Sequence, residues 1–147
     1  MENKAIAIFG QKFVPIVAQY INSAKSTIDI VIFDWRWYPD DIGSLLQTFN
    51  QSLVLASRRG VRVRAIVNSI ALQKQISQTG IDVVVYSGTK TLHSKFIVID
   101  NKIVICGSHN FTQSGFSANH ETSLLVEDED ISHQFNNFFR ELWTLPR

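Results

Sequence analysis

Apolar residues along this chain recur at two alternating spacings, one close to every second residue and one close to every third or fourth. "AIAIF" (5–9) has the length and content of a short strand. Phe13, Ile16, Val17, Tyr20, Ile21 and Ala24 then follow at helical spacing, with Pro15 near enough to the first turn to be tolerated. "TIDIVIFDW" (27–35) returns to strand character and is ended by Pro39. Ile42, Leu45, Leu46, Phe49 and Leu53 mark a second helix, which Gly60 stops just after Arg58 and Arg59. "VRVRAIVN" (61–68) predicts a strand, 70–79 a short helix, and "IDVVVYS" (81–87) a further strand.

This strand–helix alternation predicts an α/β fold, in which a mixed, largely parallel β-sheet is flanked by helices on both faces. The rhythm breaks at "LHSKFIVIDNKIVICGSHNFT" (92–112), where two apolar runs follow each other with no helix between them. A hairpin is expected there, turning at Asp100-Asn101 or at Asn101-Lys102. "TSLLVED" (122–128) predicts another strand, and Ile131, Phe135, Phe138, Phe139, Leu142 and Trp143 form the stripe of a closing amphipathic helix. The run "EDED" (127–130) falls at the start of that helix, where acidic side chains complement the helix dipole, and this reading is preferred to a metal site.

At 147 residues the chain fits one domain over 1–147, and no repeat or linker interrupts it. Lys and Arg (14) nearly balance Asp and Glu (13), which excludes a strongly basic arm but leaves room for a local basic groove. The single cysteine, Cys106, excludes an internal disulfide framework. The apolar stretch in "MENKAIAIFGQK" is too short for a signal peptide or a membrane span, so a cytoplasmic location without stable membrane association is expected.

Chemistry concentrates at the ends of the hairpin. The two turns considered set Lys95 against Cys106 and His93 against Ser108, or Lys95 against Ser108 and His93 against Asn110. In either register Gly107-Ser108-x-Asn110 lies beside His93-x-Lys95. Gly107 permits close backbone approach, and Ser108 and Asn110 add hydrogen-bonding groups. Two nitrogen bases, an amide and a hydroxyl converging on one spot suit a phosphate oxyanion. A lone histidine at a strand end is more often an ordinary surface residue. The complete pattern outweighs that reading, since six fixed residues at fixed spacing arise by chance in only about a few per million chains of this length.

His93-x-Lys95-x4-Asp100 followed by Gly107-Ser108-x-Asn110 resembles the signature of the phospholipase D superfamily, and the layout resembles its single-motif bacterial endonucleases of the Nuc type. The similar layout includes "QYINSAKSTIDIVIF", "RRGVRVRAIV", "GSHNFT" and "FFRELW". The resemblance implies phosphodiester cleavage through a covalent phosphohistidine. His93 would be the nucleophile, Lys95 and Asn110 would bind the non-bridging oxygens, and Ser108 would support them. Asp100 falls at the turn, away from the mouth of the hairpin, which assigns it a structural role. Glu121 in "NHETSLLV" is the match for the glutamate that orients the nucleophilic imidazole; a solvated strand-end charge is the plainer alternative. The chemistry needs a second histidine as general acid, and the chain holds one His-x-Lys, so a two-fold homodimer sharing one site is expected. His109 and His120 lie close in sequence, but His109 is expected to point off the Ser108/Asn110 face. His133 reads as a surface residue. No cofactor and no metal is expected: no zinc-type ligand spacing and no paired acidic motif is present.

The substrate is less sharply marked. Trp35, Arg36, Trp37 and Tyr38 can stack bases and grip a phosphate, or can equally cap the core. "RRGVRVR" (58–64) can contact phosphates, or can be a helix end and a solvated strand start. A nucleic-acid substrate, DNA or RNA, is favoured over a phospholipid because no amphipathic basic helix of the membrane-surface type is visible. Phospholipid cleavage or phosphatidyl transfer by the same residues, and an inactive binding or dimerisation module of the same fold, are the alternatives.

Overall fold

Seven strands form one mixed sheet in the computed structural model, which describes residues 4–147. The first three residues, part of the stretch read for a leader, lie outside the described residues. In chain order the elements are β1 (Ala5–Phe9), α1 (Phe13–Ser23), β2 (Thr27–Ile32), α2 (Leu45–Arg58), β3 (Arg62–Val67), α3 (Ile70–Ser77), β4 (Asp82–Val85), β5 (Lys95–Ile99), β6 (Ile103–Gly107), β7 (Thr122–Glu127) and α4 (Glu129–Trp143). The strand order is β1-β7-β6-β5-β2-β3-β4. The sheet is mixed and flanked by helices as expected, but antiparallel pairing predominates. Only β2–β3 and β3–β4 are parallel, because the hairpin inserts beside β2 and carries β7 and β1 with it.

Both faces of the central strands are covered, which explains their nearly continuous apolar sequence. Ile28, Ile30, Ile97, Ile99 and Ile105 point into a core shared with α1, α2 and α3. Val31, Ile66, Phe96, Val98 and Val104 point the other way, against Phe139 of α4. The helices end where their chemistry dictates. Ser44 caps α2 by accepting from the Gln47 N–H at 3.0 Å, so Ile42, counted in the helical stripe, lies ahead of the helix and is 88% exposed. Gly60 closes that helix with φ of +100°, a conformation glycine adopts without steric cost. Asp128 accepts from the Ile131 N–H at 2.9 Å, and Glu129 and Asp130 occupy the first turn of α4.

Two arginines of the "RRGVRVR" run, read either as phosphate contacts or as a helix end and strand start, have structural partners. Arg64 makes a two-pronged ion pair with buried Asp29 at 2.7 and 2.9 Å, and its guanidinium lies over the rings of Phe139 and Trp143. Arg59 donates to the Ile21 and Ala24 carbonyls, satisfying the end of α1. Arg62 pairs in register with Thr27, at the end of β2 opposite to the one that meets Lys95. The cluster therefore faces away from the His-x-Lys motif.

The hairpin turn differs from both sequence expectations. Ile99 pairs with Ile103 and Phe96 with Cys106, leaving a three-residue loop of Asp100, Asn101 and Lys102. Asp100 and Asn101 have φ of 52° and 56°, a left-handed conformation that short polar side chains tolerate better than most. Continuing the ladder one step sets Lys95 opposite Gly107, midway between the two registers anticipated.

The loop is held by the Asp100 carboxylate, which accepts from the N–H groups of Lys25 (2.9 Å), Ser26 (2.7 Å) and Thr27 (3.1 Å). Burial acts to raise the Asp100 pKa, but these three N–H groups and the charge of Lys102 win, holding it below the ordinary carboxylate value. Such a group stabilises the fold above its unfolded pKa of about 3.9, and the contribution is lost as pH falls through the depressed folded value. Asp100→Ala is expected to cost about 1–2 kcal/mol at pH 7, a figure reduced for partial exposure, and less at pH 3. Urea midpoints at the two pH values measure this; an equal loss at both would contradict the carboxylate clamp.

Candidate active site

His93 lies just ahead of β5, and Lys95 is the first residue of that strand. The imidazole packs against Phe33, which follows β2, with ring centres 4.7 Å apart, and the Lys95 ammonium sits 5.3 Å from the same ring. Lys95 Nζ donates to the His93 carbonyl at 2.9 Å and lies 3.3 Å from His93 Nδ1. Burial lowers the Lys95 pKa, and the charge of Glu121 opposes that shift.

The other half of the motif is built by β6 and β7. Gly107 is needed because a β-carbon there would come within 2.5 Å of Ser123 Cα. The Ser108 hydroxyl donates to Glu121 Oε1 at 2.6 Å and accepts from the Thr122 N–H at 3.0 Å. Asn119 donates to the second Glu121 oxygen at 3.1 Å. Burial acts to raise the Glu121 pKa, but the hydrogen bonds from Ser108 and Asn119, with the nearby His109 and Lys95, hold the carboxylate below its ordinary range. Among the described residues the expected bond between Glu121 and the His93 imidazole is not made; Glu121 holds Ser108 instead. His93, Lys95, Gly107 and Ser108 line one open cleft of about 470 Å3 together with Phe135 and Phe138 of α4.

Asn110 reaches this end of the sheet by a pairing that the sequence does not disclose. After β6 the chain forms an isolated parallel bridge, Trp35 to Phe111, in which Arg36 N–H donates to the Phe111 carbonyl and Phe111 N–H to the Asp34 carbonyl. Asn110 Oδ1 then accepts from the Asp34 N–H at 3.1 Å, which orients its amide NH2 as the group left to donate. Asn68, at the end of β3, is a site residue that sequence reasoning misses. Its side chain donates to the carbonyls of Phe33 (3.0 Å) and Leu92 (3.2 Å), tying the residue that packs on His93 to the residue that precedes it. The cue is present, an asparagine at the C-terminal end of a central strand, but a single polar residue there has too many ordinary uses to stand out.

A family model described as "Cardiolipin synthase, PLD-like domain" matches residues 17–143. The chain belongs to the phospholipase D superfamily. A mitochondrial cardiolipin hydrolase of Chlamydomonas reinhardtii is 30% identical over 132 residues, covering 86% of this chain and 55% of that protein. A phospholipase D of Rickettsia prowazekii is 36% identical over 130 residues, covering 84% and 59%. The chain thus spans little more than half the length of these relatives. Among solved structures, the phospholipase D family member Nuc from Salmonella typhimurium superimposes with a TM-score of 0.82 at 23% identity over 97% of both chains. NucT from Helicobacter pylori gives 0.78 at 17% identity over 95% of this chain and 96% of its own. At these identities the likeness is one of fold.

Within this superfamily fold the remaining histidines and aromatic residues sort by burial. His109 is 2% exposed, stacked on Phe13, with Nε2 donating to the Gly10 carbonyl at 2.9 Å and Nδ1 2.7 Å from the Ser123 hydroxyl. Both ring nitrogens are thereby occupied inside the core. His120 and His133 are exposed. Trp35, expected to help bind substrate, is 3% exposed, and its indole N–H is donated to Asn50 at 2.8 Å. The Trp35 ring packs edge-on against Phe111 and Trp37 and is not available for stacking on a ligand. Arg36 is exposed and paired with Asp34 at 2.9 Å, and Trp37 is half-buried.

Burial lowers the His109 pKa more than the Gly10 carbonyl and Glu121 raise it, so folded His109 resists protonation. Below the ordinary histidine pKa of about 6.5 the unfolded chain takes up a proton that the folded one refuses, and stability falls as pH drops. His109→Gln is expected to flatten this part of the profile, whatever its starting stability. Urea midpoints between pH 5 and pH 8 check it, and identical slopes for the two proteins would refute it.

Proposed function

We propose that the chain is a phosphodiesterase that cleaves nucleic acid through a phosphohistidine, in a site shared by two copies. The observation that carries this reading is the convergence of His93, Lys95 and Ser108 on one cleft, with Asn110 held to Asp34 at the same end of the sheet. Lys95 and the Asn110 amide offer donors for the two non-bridging oxygens of a phosphodiester, and Ser108, held by Glu121, supports them. His93 Nε2 attacks phosphorus and the bond to the leaving oxygen breaks, that oxygen taking its proton from a second histidine. The second histidine then takes a proton from water, which attacks phosphorus, breaks the P–N bond and releases His93.

That second histidine is best supplied by a two-fold partner, since His109 is consumed by the core. Exposed apolar residues beside the cleft support such a partner. Phe138 is 42% exposed on the cleft wall, and Leu124, in register with Cys106 of that wall, is 43% exposed. In the assembled site Glu121 is proposed to orient an imidazole, a role it does not fill within one chain. The lysine, the amide and the two histidines together carry the charge and proton chemistry, so the reaction is proposed to need no metal ion. Among the described residues no helix is long and apolar enough to cross a membrane. The resemblance of the single-motif layout to the Nuc-type endonucleases is what favours nucleic acid over the phospholipids named for the curated relatives.

In excess chelator, cleavage of single- and double-stranded DNA and RNA should persist in the wild type and fall by at least about a thousandfold in His93→Ala. Cutting that survives in the variant would rule out the histidine mechanism, and cutting abolished by chelator would rule out metal independence. Release of phospholipid head groups without nucleic-acid cleavage would replace the substrate. Sedimentation at assay concentration should give a dimer mass; full activity of a monomer would remove the shared site.

A further inference from the structure

A second, larger concavity opens directly beside the imidazole. It has a volume of about 760 Å3 and lies at the C-terminal ends of β2, β3 and β4, where sheets of this kind take ligands. Phe33 belongs to its wall and also packs on His93, so the groove adjoins the ring of the proposed nucleophile. Leu92, one residue ahead of His93, closes the same end.

The composition of the lining decides what it can hold. Its larger aliphatic members are hidden, Leu72 being 6% and Leu92 5% exposed, and only the small side chain of Ala71 is open, so an acyl chain would find little aliphatic surface to lie on. The accessible part is aromatic and cationic. Tyr38 is 49% and Phe33 38% exposed, Trp37 and Tyr86 are half-buried, and Arg36 and Lys90 are exposed at the rim. The aromatic wall is fixed before any ligand arrives. Trp37 is braced against buried Trp35, ring centres 5.8 Å apart, and the Tyr86 hydroxyl rests over Gly88 so closely that a β-carbon there would collide with it. Fixed aromatic faces beside a cation suit nucleobases strung on phosphates, and they suit unpaired bases, because duplex bases already have both faces stacked.

We propose that this groove is a subsite for single-stranded nucleic acid, in which Trp37 and Tyr86 stack bases next to the scissile phosphate and Lys90 contacts the backbone. It rests on the nuclease reading and narrows it to unpaired strands. Lys90 is preferred to Arg36 as the backbone contact because the Arg36 guanidinium is already engaged by Asp34 at 2.9 Å.

The test uses the full chain carrying His93→Ala, so that bound strands stay intact, and a fluorescein-labelled oligothymidylate of about ten nucleotides. Anisotropy should show tighter binding of this strand than of its duplex with oligoadenylate. Adding Trp37→Ala should weaken binding about tenfold, and adding Lys90→Gln should lower the slope of log K against log salt by about 0.7. Because Trp37 braces Trp35, Tyr86→Ala serves as a second stacking variant, with thermal unfolding recorded for each. Unchanged affinity in a folded Trp37→Ala and a folded Tyr86→Ala overturns the subsite, as does equal affinity for duplex. In those cases wild-type cleavage of nucleic acid continues and the broader reading stands. Failure to bind any oligonucleotide, with binding instead to vesicles of cardiolipin and phosphatidylcholine, overturns both.

Discussion

The register of β5 between β2 and β6 is the constraint on which the functional end of the sheet depends. A slip of one residue would turn every side chain of the strand to the other face, exchanging Phe96 and Val98 for Ile97 and Ile99 and moving Lys95 with them. The hairpin loop opposes such a slip at the far end of the strand. Asp100 and Asn101 adopt a left-handed conformation, and the Asp100 carboxylate gathers three N–H groups at the start of β2. One side chain therefore fixes the hairpin turn and its pairing with β2 together. Lys95 then meets Ile32 on one side and Gly107 on the other, a five-residue strand away from the clamp.

What reaches the cleft from that register is a set of groups already committed to partners. Gly107 lets β7 press close, which brings Glu121 onto Ser108. The Trp35–Phe111 bridge brings Asn110 onto the Asp34 N–H, and Asn68 ties Phe33 to Leu92. Each bond uses up one capacity of a polar group and orients the rest, so Ser108 and Asn110 would need little reorganisation to meet the proposed phosphate. The opposite end of the sheet is a contrast. There Arg59 and Arg64 are spent on helix carbonyls and on Asp29, and they serve cohesion.

The sequence carries most of the elements and the gathering of the motif, because periodicity and a short hairpin are local properties. It carries less of the sheet. Strand–helix alternation suggests mainly parallel pairing, and nothing local reveals that β5 inserts beside β2 or that β1 pairs with β7 at the far edge. Two-residue turns put the hairpin register one residue off in either direction, because Asp100 is drawn into a three-residue loop by partners about 75 positions away. Trp35 is misplaced by local reading for a similar reason. In "DWRWY" every aromatic looks equally free, and only the bridge to Phe111 and the bond to Asn50 show which one the core has taken. The groove shared by Trp37, Tyr86 and Lys90 joins residues distant in the chain and leaves no pattern in it.

The geometry around His93 bears on the proposal that two chains share one site. An ammonium only donates, so Lys95 Nζ at 3.3 Å from Nδ1 suits a ring whose Nδ1 accepts, the tautomer with the proton on Nε2. A nucleophilic Nε2 needs the opposite tautomer, with the proton on Nδ1 and an acceptor facing it. Glu121, the carboxylate expected there, is turned to Ser108 and Asn119 in its own chain. Two changes would convert the site. A phosphate oxygen competing for Lys95 would draw the ammonium off Nδ1, and a carboxylate approaching from a two-fold partner would give Nδ1 its acceptor. In that arrangement substrate and partner act on the same nitrogen.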